Sequence, residues 1–226
     1  MANRIVRNIT IFLATLILCC LNTNAYAGNE VQCERPGKLF SPSKILLLED
    51  TERDKWQKPE EILNALGIGK GQVVADIGAG SGYLTAQLSE RVGETGIVYA
   101  VDVQQEMLDY IKKRIQEKDM KNVVPILNTM FDPKLPEGSL DIAILLSVYH
   151  EMENPIEFMK SLKSALKPHG KVAIMEFSDE SPIGPPLKIR LPESLVVNEL
   201  RQAGFALSQR HTFLLPYQYF LVFTLL

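Results

Sequence analysis

Cysteine, histidine and tryptophan are scarce in this chain. Its 226 residues include three cysteines, three histidines and one tryptophan. Cys19 and Cys20 lie within the first 27 residues, so removal of that segment would leave Cys33 alone. A single cysteine cannot form an internal disulfide or a cysteine–zinc site, and three scattered histidines do not form a metal site. The sequence therefore predicts a fold without disulfides and a protein without a bound metal.

An excess of positive charge is also lacking. The chain has 24 lysines and arginines against 27 aspartates and glutamates, which gives a formal net charge of −3. Nucleic acid is therefore not expected as a partner, because its phosphates require a basic surface. The 46% of hydrophobic residues suits one globular domain that is large enough to bury a sizeable core.

The longest apolar run lies at the N-terminus. Arg4 and Arg7 precede a run of 13 residues from Ile9 to Leu21, and the tripeptide AYA follows at 25–27. This order is typical of a secretory signal peptide. As a helix the run would span about 20 Å, short of the ~30 Å hydrocarbon core of a bilayer. We therefore expect residues 1–27 to be a cleaved signal peptide of an exported protein, periplasmic or secreted. An uncleaved membrane anchor is the alternative.

Apolar segments alternate with amphipathic ones through most of the remaining chain. Strands are expected at 73–77, 96–103, 122–127, 140–146 and 171–177, and helices from Pro59 to Gly67 and at 83–92, 104–118, 154–170 and 193–205. Two further strands, 206–214 and 217–226, have a connection too short for a crossover, so they must be antiparallel neighbours. The pattern predicts a doubly wound, mostly parallel α/β sheet of seven strands. Residues 28–57 look irregular, and we interpret them as an N-terminal extension or lid.

A glycine loop follows the first expected strand. In ADIGAGSGYL (75–84), Asp76 is followed by Gly78, Gly80 and Gly82. Glycines allow the backbone to approach a ligand closely because they have no Cβ. No Lys-Ser or Lys-Thr pair follows, which excludes a triphosphate-binding P-loop. The spacing G-x-G-x-G also departs from the G-x-G-x-x-G of dinucleotide sites, so an NAD-type oxidoreductase is only an alternative.

Three features of the sequence together resemble class I S-adenosylmethionine-dependent methyltransferases. The motif D-x-G-x-G-x-G after the first strand is typical of that family. Asp102, at the end of the second expected strand, matches the family's ribose-binding acid, and the terminal antiparallel hairpin matches its reversed last strand. The resemblance covers roughly residues 55–226. It implies a Rossmann-like methyltransferase domain at 58–226, with S-adenosylmethionine as cofactor.

The resemblance places the cofactor against the ends of the first strands. The glycine loop and the N-terminus of the following helix suit an amino-acid tail, and Asp102 can accept hydrogen bonds from the ribose hydroxyls. Val103 and Met107 could form an apolar wall for the adenine, and Asn128 or Asp132 could meet its edge. The expected cofactor-binding residues are Asp76, Gly78, Ala79, Gly80, Gly82, Asp102, Val103, Met107, Asn128 and Ser147.

Candidate catalytic residues follow the fourth expected strand, in the segment SVYHEMENP (147–155). In open α/β sheets ligands bind beyond the carboxyl ends of the strands, which would place this segment beside the transferred methyl group. His150 is the best candidate base because imidazole exchanges protons near neutral pH. Tyr149 and Glu151 are further candidates. The alternative is that these residues only hold the entry to the next helix, and Trp56 either covers the site or packs in the core.

We therefore expect an S-adenosylmethionine-dependent methyltransferase that acts on a small molecule. A non-catalytic S-adenosylmethionine-binding protein and an NAD-type oxidoreductase are the alternatives. The sequence identifies neither the acceptor nor its reacting atom, and quinone-type or other small aromatic acceptors follow only by analogy. The leader and the cofactor predict different compartments, since S-adenosylmethionine is a cytosolic metabolite and a signal peptide indicates export.

Overall fold

The computed structural model describes residues 37–226, so the expected leader and Cys33 lie outside the described residues. In this range a seven-stranded sheet has the order β3-β2-β1-β4-β5-β7-β6. The strands are β1 Val73–Ile77, β2 Ile97–Asp102, β3 Val123–Leu127, β4 Leu140–Leu146, β5 Leu166–Phe177, β6 Phe205–His211 and β7 Gln218–Leu225. Strands β1 to β5 are parallel, and β7 lies antiparallel between β5 and β6. The predicted fold class is confirmed.

Six α-helices connect or flank the strands in the described range. They are α1 Arg53–Gln57, α2 Pro59–Leu66, α3 Tyr83–Val92, α4 Gln105–Glu117, α5 Pro155–Ala165 and α6 Glu193–Gln202. Helix α2 shows how local sequence sets the bounds: Pro59 opens it, and Gly67 ends it in the left-handed conformation. No helix of the described residues is both long enough and apolar enough to cross a bilayer.

The core lies on both faces of the sheet. Consecutive residues of β1 pack into different hydrophobic clusters. Val74 belongs to the cluster that contains Leu63, Leu88 and Ile111, whereas Ala75 belongs to the cluster that contains Phe158. Helices α2, α3 and α4 therefore cover one face, and α5 covers the other together with α6. Because both faces are covered, the central strands are apolar over most of their length.

The end of α5 differs from the prediction. The helix ends at Ala165 rather than at Gly170, and β5 begins at Leu166, which pairs with Leu140 before a bulge. Pro168 explains the early end, because a proline cannot donate the hydrogen bond that would continue the helix. Asn154 precedes α5 as expected, but its side chain forms no capping hydrogen bond.

The segment before α2 is more regular than the sequence indicates. Residues Pro42–Glu49 form a 3-10 helix, and α1 follows at once. The side chains of the 3-10 helix are not buried in the core, and those of Leu46 and Leu47 are 73% and 68% exposed. It is held instead by contacts with distant residues, such as the ion pair of Glu49 with Arg114 of α4, which sequence periodicity cannot reveal.

Candidate functional site

A cavity of about 710 Å³ opens at the carboxyl ends of the parallel strands. Five loops contribute to its wall, one after each of β1, β2, β3, β4 and β5, and the segment 38–56 closes another side. The strand order reverses its direction between β1 and β4, where such a crevice is expected. Of the ten predicted cofactor-binding residues, nine line this cavity. They are Asp76, Gly78, Ala79, Gly80, Asp102, Val103, Met107, Asn128 and Ser147.

The loop after β1 requires glycine at its first position. Gly78 has a φ of 69°, and its N–H donates to the carbonyl of Val101 at 2.8 Å. A Cβ on Gly78 would lie 2.8 Å from the Cβ of Val148 and closer still to a methyl of that side chain. The loops that follow β1 and β4 therefore touch here, and any side chain would force them apart.

Gly82, the tenth predicted residue, does not line the cavity. It immediately precedes α3 with a φ of 75°, and a Cβ there would lie 3.2 Å from Ile111 of α4. A glycine at position 82 therefore allows α3 to pack closely against α4.

Asp76 is a buried carboxylate in the cavity wall. Its side chain is 3% exposed, and Oδ2 accepts a hydrogen bond from the hydroxyl of Thr85 at 2.6 Å. Burial raises the pKa of Asp76 to about 6, against the opposing effects of that hydrogen bond and of the Arg53 charge. A cation bound next to Asp76 would favour the ionised form.

Arg53 on α1 is a wall residue that sequence reasoning missed. Its guanidinium lies 4.0 Å from the ring centroid of Tyr83 and donates to the carbonyl of Leu48 at 3.0 Å. Among the described residues no carboxylate lies within ion-pair distance of it, and burial lowers its pKa. A positive group with no direct ion pair among the described residues therefore lines the cavity, in a segment where no sequence pattern identifies it.

Asp102 is fixed at the end of β2 by two backbone hydrogen bonds. Oδ2 accepts from the N–H of Gly80 and Oδ1 from the N–H of Gln104, both at 2.9 Å. Burial raises the pKa of Asp102. Since each carboxylate oxygen has two lone pairs, the fixed group can still accept hydrogen bonds from a ligand.

Val103 and Met107 line the same part of the cavity, and Met107 is 1% exposed. Nearby, the amide nitrogen of Asn128 donates to the carbonyl of Thr129, whereas its Oδ1 is buried without a hydrogen-bond partner among the described residues. Such an orphaned acceptor needs a donor from a ligand or water. Asp132, the alternative to Asn128, does not line the cavity and instead bonds Lys134.

The loop after β4 is held by side-chain hydrogen bonds that connect it to β7 and, through β7, to α1. Ser147 has a φ of 57°, and its Oγ accepts a hydrogen bond from Gln218 at 2.6 Å. Gln218 in turn accepts one from Gln57 of α1, and both glutamines are fully buried. Trp56 lines the cavity and also packs against Phe177, 5.9 Å between ring centroids, so it both covers the site and anchors α1.

His150 and Glu151 line the cavity, but Tyr149 does not. Tyr149 is fully buried in the hydrophobic cluster on the α5 face, so the structure does not bring it to the site. Burial raises the pKa of Glu151 to about 7, with the charge of His150 opposing this shift. A further carboxylate, Glu176 on β5, lies 2.8 Å from Nδ1 of His150 and was not predicted.

The remaining wall is mainly apolar. It is formed by the N-terminal segment and by the loop that follows β5, and it includes Phe40, Leu47, Phe177, Ile183, Pro186 and Ile189. The cavity therefore has a polar part at the ends of β1 and β2 and an apolar part beside His150. This division suits a polar ligand next to a less polar one.

Known proteins match this chain in sequence and in fold. A family model for a methyltransferase domain matches residues 68–204, more than half of the chain. The crystal structure of a SAM-dependent methyltransferase from Aquifex aeolicus superposes with a TM-score of 0.79 at 31% identity, covering 83% of this chain and 100% of that one.

Curated relatives show the same relationship over a shorter length. A demethylmenaquinone methyltransferase from Geobacillus is 26% identical over 130 residues, which are 58% of this chain and 55% of that protein. The ubiquinone/menaquinone biosynthesis C-methyltransferase of Escherichia coli is 28% identical over 126 residues, 55% of this chain and 49% of that protein. The chain thus spans about half the length of the curated relatives it matches.

These matches agree with the glycine loop, the acid at the end of β2 and the reversed last strand. They confirm the resemblance found in the sequence, and they favour an enzyme that uses S-adenosylmethionine over the two alternatives. The chain belongs to the S-adenosylmethionine-dependent methyltransferases.

Proposed function

We propose that this protein transfers the methyl group of S-adenosylmethionine to a small, largely apolar acceptor held in the same cavity. The observation that carries the proposal is the division of one cavity of about 710 Å³ into two parts. Charged groups gather at the strand ends, and apolar side chains of the N-terminal segment and of the loop after β5 line the part of the cavity that includes His150. The volume suits two small molecules held side by side.

The polar part matches the chemistry of the cofactor group by group. Asp76 would hold the ammonium of the amino-acid tail, and Arg53, which has no anion of its own, would hold the carboxylate. Asp102 would bind the ribose hydroxyls, and the unpartnered Oδ1 of Asn128 would accept from the adenine amino group. Val103, Met107, Ala79 and Ser147 complete the proposed wall, with the backbone of Gly78 and Gly80 against the tail.

The apolar part supports an aromatic ring as acceptor. Phe40, Phe177 and Ile189 provide a surface for a flat ring, and the charged side chains of Lys38, Lys44, His150 and Glu151 also line the cavity. The curated relatives include a demethylmenaquinone methyltransferase and a quinone-biosynthesis C-methyltransferase. A reduced, quinol-type ring is therefore the first acceptor class that we propose.

The protein's part in the reaction is alignment and proton removal. When bound, the cofactor supplies an electrophilic methyl group on a sulfonium. The chain holds the acceptor ring in line with that group, and positioning of this kind can provide much of the acceleration. His150 accepts the proton that a hydroxyl-bearing acceptor must lose, and Glu151 stabilises the charged imidazole from the cavity side.

Binding and turnover test the proposal in two steps. Calorimetry should detect S-adenosylmethionine but not NAD, and Asp102→Asn should weaken the binding of S-adenosylmethionine at least tenfold because the ribose contact loses its charge. A reduced demethylmenaquinone with a short prenyl tail then serves as acceptor, with mass spectrometry to detect an added methyl group. Folded protein that fails to bind the cofactor would contradict the whole proposal. Binding without product would contradict the acceptor class alone.

We further propose that residues 1–27 direct the protein out of the cytosol and that 28–57 act as a lid on a domain formed by 58–226. Lys38, Leu48 and Trp56 line the cavity, which supports a covering role for the described part of that segment. Cell fractionation with N-terminal sequencing tests the leader. A mature chain that begins at Gly28 outside the cytosol is expected. A cytosolic chain that retains residues 1–27 would contradict export, and a membrane-bound one would favour an anchor.

A further inference from the structure

One buried carboxylate holds both the backbone and the ring of His150. Glu176 on β5 is 1% exposed, and its Oε1 accepts a hydrogen bond from the N–H of His150 at 3.3 Å. Its Oε2 lies 2.8 Å from Nδ1 of the same residue. Glu176 does not itself line the cavity, whereas His150 does. The carboxylate therefore acts on the cavity only through the imidazole.

The N-terminal segment holds His150 from the opposite side. The N–H of Gly37 donates to the carbonyl of His150 at 2.8 Å. A Cβ on Gly37 would lie 2.9 Å from that carbonyl and 3.2 Å from Cδ2 of the ring. Such close approach leaves the imidazole little room to turn, so the ring is held between β5 and the segment above it.

The position of the proton on the ring follows from this arrangement. An ionised carboxylate only accepts hydrogen bonds, so beside an ionised Glu176 the shared proton lies on Nδ1 of His150. In a neutral imidazole the lone pair then lies on Nε2. Nε2 is 3.8 Å from Oε1 of Glu151, and both residues line the cavity, so Nε2 lies on the Glu151 side of the ring and Nδ1 on the Glu176 side.

We infer that Glu176 is a positioning residue for methyl transfer: it fixes His150 in the tautomer with Nδ1 protonated, so that Nε2 serves as the base. The inference rests on the proposed function, which supplies an acceptor with a proton to lose. It adds a residue that nothing in the local sequence marks, since Glu176 and His150 are 26 positions apart.

The step balances without any further reactant. The acceptor atom forms a bond to the methyl carbon while the carbon–sulfur bond breaks, and the sulfur keeps the electron pair of that bond. The acceptor's proton passes to Nε2 of His150. The imidazolium that forms then has the carboxylate of Glu176 on β5 beside Nδ1, at 2.8 Å, and that of Glu151 on the side of Nε2, at 3.8 Å.

Nitrogen NMR on histidine-labelled full-length protein tests the tautomer without any acceptor. The chain has only three histidines, and the exposed His169 serves as an internal reference. Above the titration range, His150 should show a protonated Nδ1 and an unprotonated Nε2. Glu176→Gln should convert this single state to a mixture, because an amide can donate as well as accept. A proton on Nε2 in the wild type, or an unchanged tautomer in the variant, would overturn the inference.

Kinetics with the reduced short-tail demethylmenaquinone separate positioning from a purely structural role. Glu176→Gln should lower kcat about 100-fold, with the KM of the acceptor and the affinity for S-adenosylmethionine within threefold of wild type. Glu176→Asp should recover part of kcat, and Glu180→Gln, an exposed change in the loop after β5, should have no effect. A Glu176→Gln protein that melts earlier but turns over normally when folded would overturn the inference. If wild type gives no product, the proposed acceptor class fails while the tautomer measurement still decides the role of Glu176.

Discussion

Three ionisable residues, the buried Asp76 and Asp102 and the partly buried Arg53, define the polar part of the cavity at the residue scale. Asp76 and Asp102 carry negative charge at the ends of adjacent strands, and Arg53 approaches from α1 with no ion-pair partner among the described residues. The net effect is a surface that suits a zwitterionic tail and a ribose better than a pyrophosphate. Burial makes each of these charges strongly dependent on what binds beside it.

Asp76 predicts a specific pH dependence of cofactor binding. Its pKa is raised to about 6, and only the ionised carboxylate can pair with the ammonium of the tail. The affinity for S-adenosylmethionine should therefore be full above pH 7 and fall up to tenfold per pH unit below pH 6. Calorimetry across this range measures it, and Asp76→Asn should give weaker and flatter binding. Affinity that is constant from pH 7 to pH 5 in wild type would exclude the pairing.

Arg53 should contribute as a charge-assisted partner of the tail carboxylate. Arg53→Met keeps the length of the side chain but removes the charge, and we expect cofactor affinity to fall about 10–100-fold. Lys55→Met is the matched control, because that side chain is 72% exposed on the same helix. Equal affinities for the two variants would show that Arg53 serves only to hold α1 in place.

At the scale of elements, the close contact of the loops after β1 and β4 determines the shape of the cavity floor. Gly78→Ala should destabilise the fold by about 2–4 kcal/mol, since it combines left-handed backbone strain with overlap against Val148. Gly138→Ala is the matched control: its φ is also positive, at 58°, but nothing lies within 4 Å. Urea unfolding of both variants measures the difference. Similar losses of about 1 kcal/mol would show that strain alone matters.

The elements that close the cavity are held by side chains from distant parts of the chain. The hydrogen bond from Gln57 to Gln218 spans 161 positions, and that from the N–H of Phe40 to Glu151 spans 111. The second bond connects the segment before α1 directly to a residue beside the proposed base. Movement of this segment would therefore change the cavity's apolar wall and the surroundings of His150 together.

At the scale of the whole molecule, ligand binding should be visible as stabilisation. A ligand present at 100 times its Kd adds about 2.7 kcal/mol to the free energy of unfolding. For a domain of this size that is a rise in Tm of about 5–10 °C. S-adenosylmethionine should produce this rise and NAD should not. A rise with NAD alone would contradict the assignment of the cavity, and thermal unfolding followed by circular dichroism measures both.

Fold class and cofactor could be predicted from the sequence because both depend on local patterns. Apolar runs and helical periodicity identified all seven strands. The bounds of two of them, 73–77 and 140–146, are as predicted, and so is the antiparallel pairing of the last two strands. The glycine loop and Asp102 stand next to strands that the pattern already located. The end of α5 was wrong because the pairing of Leu166 with Leu140 is a long-range contact.

The rest of the site was decided by tertiary structure. No sequence pattern around Arg53 or Glu176 predicts a role at a cavity. Only the folded chain places Arg53 against Tyr83 and Glu176 against His150. Tyr149 was a further candidate beside His150, but in the short 3-10 helix Tyr149–Glu151 after β4 the side chain of Tyr149 is buried in the core whereas His150 lines the cavity. The sequence by itself determined the α/β frame and the cofactor class, since spacing along a strand or loop encodes them. The shape of the acceptor site and the contact of Glu176 with His150 were decided only by tertiary structure, because they are formed by segments that are distant in sequence.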